Sequence, residues 1–234
     1  MTTSVAFTGY QAANGVLADF SAGEFLTVLS AWSNGSLSFA GGATHFGFVY
    51  EGNPVVNCQS GRFQLKPGMY FSVQGEGGIE GGGRGIVVSR LGYRGFFQIG
   101  GPIEDTGRLK YIDGCTDSLL IPPVLMGDPC FNLLYFPPHI KQTQHTHPSI
   151  RVGMVVRGTG RCITPEGVTP LFPGQVFVIQ AGGVHCFHTD KSSMAVVAYH
   201  PDSDYGPTHE NHPMINRTIV DGLPAARLAH IRTK

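Results

Sequence analysis

The sequence predicts an all-β protein of two tandem barrels followed by a C-terminal arm. Three observations lead there. Short apolar or alternating runs dominate, turn-forming residues punctuate them, and the punctuation repeats along the chain. The runs are Phe25 to Leu29, Gly47 to Tyr50, Met69 to Val73, Gly85 to Ser89, Phe131 to Phe136, Val152 to Val156, Val176 to Ile179 and Met194 to Tyr199. Between them stand the breakers GNP at 52–54, KPGM at 66–69, PPH at 137–139, RGTG at 157–160 and FPGQ at 172–175. Glycine supplies positive φ and proline a fixed φ, so each breaker reads as a turn. Helical spacing is visible only near Leu223 to Ile231, where a short helix is expected.

A shift of 106 residues places Gly52 on Gly158, Pro67-Gly68 on Pro173-Gly174, Phe71 on Phe177 and Phe25 on Phe131. Phe48-Val49-Tyr50 then falls on Met154-Val155-Val156, so the chain reads as an internal duplication. The expected division is a first barrel over 1–105, a connecting segment over 106–125, a second barrel over 126–200 and an arm over 201–234.

Composition narrows the function. Hydrophobic residues make up 41% of the 234 positions and charged residues 14%, with 33 glycines and 16 prolines, as in a turn-rich globular β protein. A formal net charge of +0 argues against a nucleic-acid surface and points to a small-molecule partner. There is no apolar run of transmembrane length, and the opening MTTSVAFTGY lacks a basic and an apolar signal region, so a cytoplasmic protein is expected. The 5 cysteines form no CxxC pair and read as free, buried thiols.

The chemistry concentrates in the second copy, which reads HTHPSIRVGMVVRGTG from 145 to 160 and PGQVFVIQAGGVHCFHT from 173 to 189. If 145–147 is strand, His145 and His147 face the same way, and the turn at Ala181-Gly182-Gly183 brings in His185 from a neighbouring strand. Three neutral imidazoles on one side suit a divalent transition metal with open positions. These two segments resemble the motifs of the cupin superfamily. His145, His147 and Gly158 match the first motif, and Gly174, Gly182 and His185 the second. The resemblance implies a bicupin, an expected homodimer, with the metal site kept only in the second barrel. Arg151 stands where the usual glutamate ligand would, Gln180 replaces a motif proline, and Thr189 stands where asparagine is common. The resemblance implies a three-histidine site holding one divalent metal, Fe(II) favoured, with Zn, Ni, Cu or Mn as alternatives.

Arg151 shares the parity of the two histidines and is expected to face inward. Beside a divalent ion it raises the local charge to about +3, which favours an anionic substrate such as a carboxylate between them. An internal salt bridge of Arg151 is the other reading. Tyr199 and Tyr135 are expected as proton donors or as core packing. His188, Cys186 and Cys162 are expected to stay outside the ligand set. The shift puts Phe39, Gly41 and Ile79 opposite the three histidines, so the first barrel is expected to bind no metal and His45 to be structural. The glycine cluster at 75–85 reads as a flexible hairpin. The segment 200–218 reads either as a lid offering His200, Asp202, Asp204 or Tyr205, or as an arm, and its HENH at 209–212 lacks zincin spacing. Three functions fit this pattern: a metal-dependent dioxygenase acting on a small organic acid without 2-oxoglutarate, a metal-dependent isomerase, lyase or decarboxylase, and a non-catalytic binder of a small acid or sugar.

Overall fold

A computed structural model describes residues 5–206, 208, 212 and 214–233, so His209, Glu210 and Asn211 of the HENH segment lie outside the described residues. The first part of the chain forms β1 (Phe7–Gln11), β2 (Gly15–Phe20), β3 (Thr27–Phe39), β4 (Ala43–Gly52), β5 (Val55–Cys58), β6 (Gly61–Gln64), β7 (Tyr70–Gln74), β8 (Gly77–Leu91) and β9 (Gln98–Gly100). The second forms β10 (Leu109–Lys110), β11 (Thr116–Ile121), β12 (Cys130–Phe136), β13 (Arg151–Gly158), β14 (Gly160–Thr164), β15 (Gly167–Leu171), β16 (Gln175–Ile179), β17 (Cys186–His188) and β18 (Met194–His200). A short hairpin of β19 (Ile219–Val220) and β20 (Leu223–Pro224) precedes two single 3-10 turns. The expected C-terminal helix is thus only those turns. No described helix is long and apolar enough to cross a membrane.

One sheet has the order β2-β3-β8-β4-β7-β9, and the other β1-β16-β13-β18-β12-β11-β10. The orders correspond strand by strand through β3 and β12, β8 and β18, β4 and β13, and β7 and β16. The repeat has a physical basis at Gly47 and Gly153. A Cβ at Gly47 would lie 2.1 Å from the Phe71 ring, and one at Gly153 2.2 Å from the Phe177 ring. In both barrels glycine is what lets the phenylalanine of the next strand lie across the backbone. One landmark fails. Phe131 pairs with Tyr199, which pairs with Val152, whereas Phe46 pairs with Val88 and Val88 with Leu29, so Leu29 is the counterpart of Phe131 and Phe25 lies before β3.

The pairing also redraws the expected boundaries. β1 lies antiparallel on β16, with Phe7 opposite Ile179, so residues 7–11 complete the second sheet. It occupies there the place that β9 takes beside β7 in the first sheet. Residues 109–121, expected as connector, are β10 and β11 of the second sheet. The glycine cluster at 75–85 runs into strand β8 and is no free hairpin. Its glycines let neighbouring backbones approach: a Cβ at Gly85 would lie 2.0 Å from the Phe48 carbonyl oxygen.

The two large sheets face each other through one core, which includes Phe46, Phe48, Ile86, Phe131, Met154 and Val197. The Phe46 and Tyr199 rings meet there at 5.2 Å. Burying an aromatic or aliphatic side chain of this size stabilises by roughly 1.5–3 kcal/mol, so this layer fixes the barrels against each other. The small sheet β15-β14-β17 covers the opposite side of the second barrel. Side chains alternate along β18: Ala195, Val197 and Tyr199 enter the inter-barrel core, whereas Val196, Ala198 and His200 line the interior of the second barrel.

Candidate metal centre and its cavity

His145 and His147 lie on an irregular segment ahead of β13, not on a regular strand. A single bridge fixes them: the His145 N–H donates to the His185 carbonyl at 3.0 Å and the His185 N–H to the His145 carbonyl at 3.0 Å. The Gly182 N–H donates to the His147 carbonyl at 2.8 Å, where Gly182 turns with φ 69°. The two motif segments are therefore tied backbone to backbone, and the imidazoles converge although the strand-parity expectation does not apply to them.

The ring centroids of His145 and His185 are 4.5 Å apart, those of His145 and His147 5.0 Å, and those of His147 and His185 5.2 Å. One ring nitrogen from each lies within 4.8 Å of the others. His145 Nδ1 contacts the Thr143 carbonyl at 2.8 Å and His185 Nδ1 the Gly183 carbonyl at 2.9 Å. A carbonyl only accepts, so both Nδ1 atoms carry the hydrogen and both Nε2 lone pairs are left for an ion. Burial, then the charge of Arg151 and the two other rings, pushes His147 down to about 3. Burial pushes His185 down to about 4, against the Gly183 hydrogen bond. These rings are neutral at pH 7, the form that binds metal. The donor set fits a divalent transition metal: three imidazole nitrogens within 4.8 Å of one another, two of the rings with fixed tautomers.

The histidines open onto a cavity of about 280 Å³ inside the second barrel. Leu134, Phe136, Phe177, Ile179, Phe187 and Val196 make its walls apolar, and Arg151, His200, Asp117, Asn132, Gln142 and Tyr111 supply polar groups. Arg151, the first residue of β13, reaches this cavity as expected, although parity counted from the two histidines does not carry across the irregular segment before it. It also makes the internal contacts of the other reading. Its Nη1 donates to Ser149 Oγ at 2.6 Å and the Ile150 carbonyl at 3.0 Å, and lies 3.6 Å from the Asp202 carboxylate. Ser149 Oγ donates to Asp202 in turn. Asp202 offsets part of the positive charge, while Arg151 Nε is buried with no hydrogen-bond partner among the described residues.

Tyr199 is the correction within the expected site residues. It is fully buried in the inter-barrel core and outside the cavity lining, because its position on β18 has the opposite parity to His200. Tyr135 likewise packs against the inter-barrel core. His200, expected on a lid or an arm, is the last residue of β18 and lines the cavity, its ring centroid 6.4 Å from that of His147. Burial, with Arg151 and His147, holds it well below the usual histidine range. The segment after it folds back on the second barrel through Asp202 and through the Gly127 N–H, which donates to the Ser203 carbonyl at 2.6 Å. His188 stays outside the cavity, 3.5 Å from Cys186 Sγ. Asp117 and Asn132 escaped the sequence reading because isolated polar residues on strands carry no motif.

No protein-family model and no curated protein matches this sequence. Solved structures do. A cupin 2 conserved barrel domain protein from Leptotrichia buccalis aligns with a TM-score of 0.58 at 11% identity, over 85% of this chain and 91% of that one. Salicylate 1,2-dioxygenase from Pseudoaminobacter salicylatoxidans, in adducts with gentisate, aligns with a TM-score of 0.62 at 10% identity, over 83% and 81%. Protein Ylba from E. coli aligns with a TM-score of 0.57 at 17% identity, over 87% and 85%. At these identities the likeness establishes the fold, which is that of the cupins.

Proposed function

We propose that this cupin-fold chain is a mononuclear metal-dependent enzyme, an Fe(II) dioxygenase acting on a small organic acid without 2-oxoglutarate. The observation that carries the reading is the convergence of three imidazoles at the wall of an apolar cavity that also receives Arg151. When bound, iron at His145, His147 and His185 supplies a centre that takes substrate and O2 together. The residues around it do the positioning. Thr143 and Gly183 hold two rings in the ligating tautomer. Arg151, itself steadied by Ser149, Ile150 and Asp202, presents a cation to a carboxylate and fixes its plane. The phenylalanine walls keep water from the reacting acid, which strengthens each charge interaction inside.

The test is oxygen uptake by anaerobically iron-loaded protein presented with a panel of carboxylic acids. The reading expects uptake with at least one acid and none in His147→Ala. Uptake preserved in that variant contradicts it. Turnover of an acid under argon instead selects the isomerase, lyase or decarboxylase chemistry of the same site.

A further inference from the structure

Asp117 stands on the wall of the same cavity and has no part in that mechanism. It lies on β11, two residues before Leu119, which is the register partner of Asn132 on β12. Residues two apart share a face, so Asp117 and Asn132 both project toward the cavity. Asn132 Nδ2 donates to the two carboxylate oxygens at 3.1 and 2.9 Å. Among the described residues no other side chain donates to this carboxylate and no cation pairs with it. An ionised carboxyl offers about four acceptor sites, and leaving them open in an apolar cavity is costly unless a ligand fills them. Burial accordingly raises its pKa, against the Asn132 contact. Asn132 Oδ1 is also buried without a partner among the described residues.

The opposite polarity lies at Arg151. Tyr111, on the cavity lining after β10, senses both groups: Asp117 raises its pKa and Arg151 lowers it, while burial raises it most. The cavity therefore has a cationic group and an acceptor group with apolar walls around them. A ligand that satisfies both carries an anion and a hydrogen-bond donor on one small apolar body.

We propose that Asp117 is a specificity-determining residue, which accepts a hydrogen bond from a hydroxyl or amino group of a substrate whose carboxylate is held at Arg151. This rests on the reading of Arg151 as the anion site. The test is calorimetric titration of Zn(II)-loaded protein with benzoate, 4-hydroxybenzoate, 3-phenylpropanoate and 3-(4-hydroxyphenyl)propanoate. The wild type prefers the hydroxylated member of at least one pair by about tenfold, as a hydrogen bond to a charged acceptor supplies. Asp117→Leu and the isosteric Asp117→Asn cut that preference below about threefold and leave the plain acid within about twofold, which separates recognition from a merely structural role. The same preference in wild type and variants, or none in the wild type, overturns the proposal. Arg151→Met is the control for the underlying reading. It weakens all four acids together if Arg151 holds the carboxylate; unchanged affinity there removes the anion site, while the Asp117 variants still decide whether the hydroxyl is recognised.

Discussion

His45 in the first barrel and Arg151 in the second occupy the same place on corresponding strands, and their surroundings show how one backbone serves two ends. His45 is buried, contacts Ser89 Oγ at 2.7 Å and the Ala40 and Gly75 carbonyls at 3.1 Å, and stacks on Phe39 at 4.7 Å. Burial holds it neutral, below the usual histidine range. Each polar atom of that ring is used, and Trp32, Phe39, Phe71 and Ile79 pack into one apolar cluster in the same barrel. Arg151 instead borders an open cavity. A barrel closed by aromatic packing holds shape; one whose interior keeps a cavity lined by imidazoles and Arg151 is prepared for a ligand.

The largest expected effect compares the two phenylalanines that cross their glycines. Phe71→Ala removes a ring from the filled barrel and costs about 4 kcal/mol in denaturant titration, the usual range for a buried Phe→Ala change. Phe177→Ala costs less, because that ring already borders a cavity and so loses fewer packed neighbours. An equal or larger loss at Phe177 breaks the contrast between filled and hollow barrels. The repeat itself is sharpened by Gly47→Ala and Gly153→Ala, each expected to destabilise by about 1–3 kcal/mol through overpacking against its ring. A cost at only one of the two glycines contradicts their equivalence.

Protonation of the histidines in the second barrel comes next. With folded values near 3 for His147 and near 4 for His185, the unfolded chain takes up protons first as pH falls below the ordinary histidine value of 6.5. Stability of the metal-free protein is therefore whole above that value and falls between about pH 6.5 and 4, by on the order of 1 kcal/mol per ring after solvent screening. Thermal melts of metal-free His147→Gln show a smaller drop, and an unchanged drop contradicts the assignment. The smallest effect is Asp202→Asn, below about 1 kcal/mol in stability, since the pair with Arg151 is 3.6 Å long and partly open to solvent.

Much of this was legible in the sequence. Turn residues and short apolar runs marked the strands, and the 106-residue shift marked the corresponding β4 and β13, β7 and β16. The three histidines were recognisable by their motif spacing, although a backbone bridge and not strand parity brings them together. What stayed hidden depends on pairing between distant segments. FTGYQ at 7–11 carries no sign that its partner is β16, because strand pairing is set by edges left open in the fold. The parity that separates His200 from Tyr199 becomes readable only once the inter-barrel core tells which face of β18 is which. Asp117 and Asn132 reveal themselves through one shared hydrogen-bonded contact.

The most direct measurement is metal counted per chain in protein reconstituted anaerobically with Fe(II), wild type beside His145→Ala/His185→Ala, with both folds checked by circular dichroism. The account predicts about one ion per wild-type chain, the count that one three-histidine site allows, and none in the folded double variant. Equal metal in both proteins, or none in either, contradicts it.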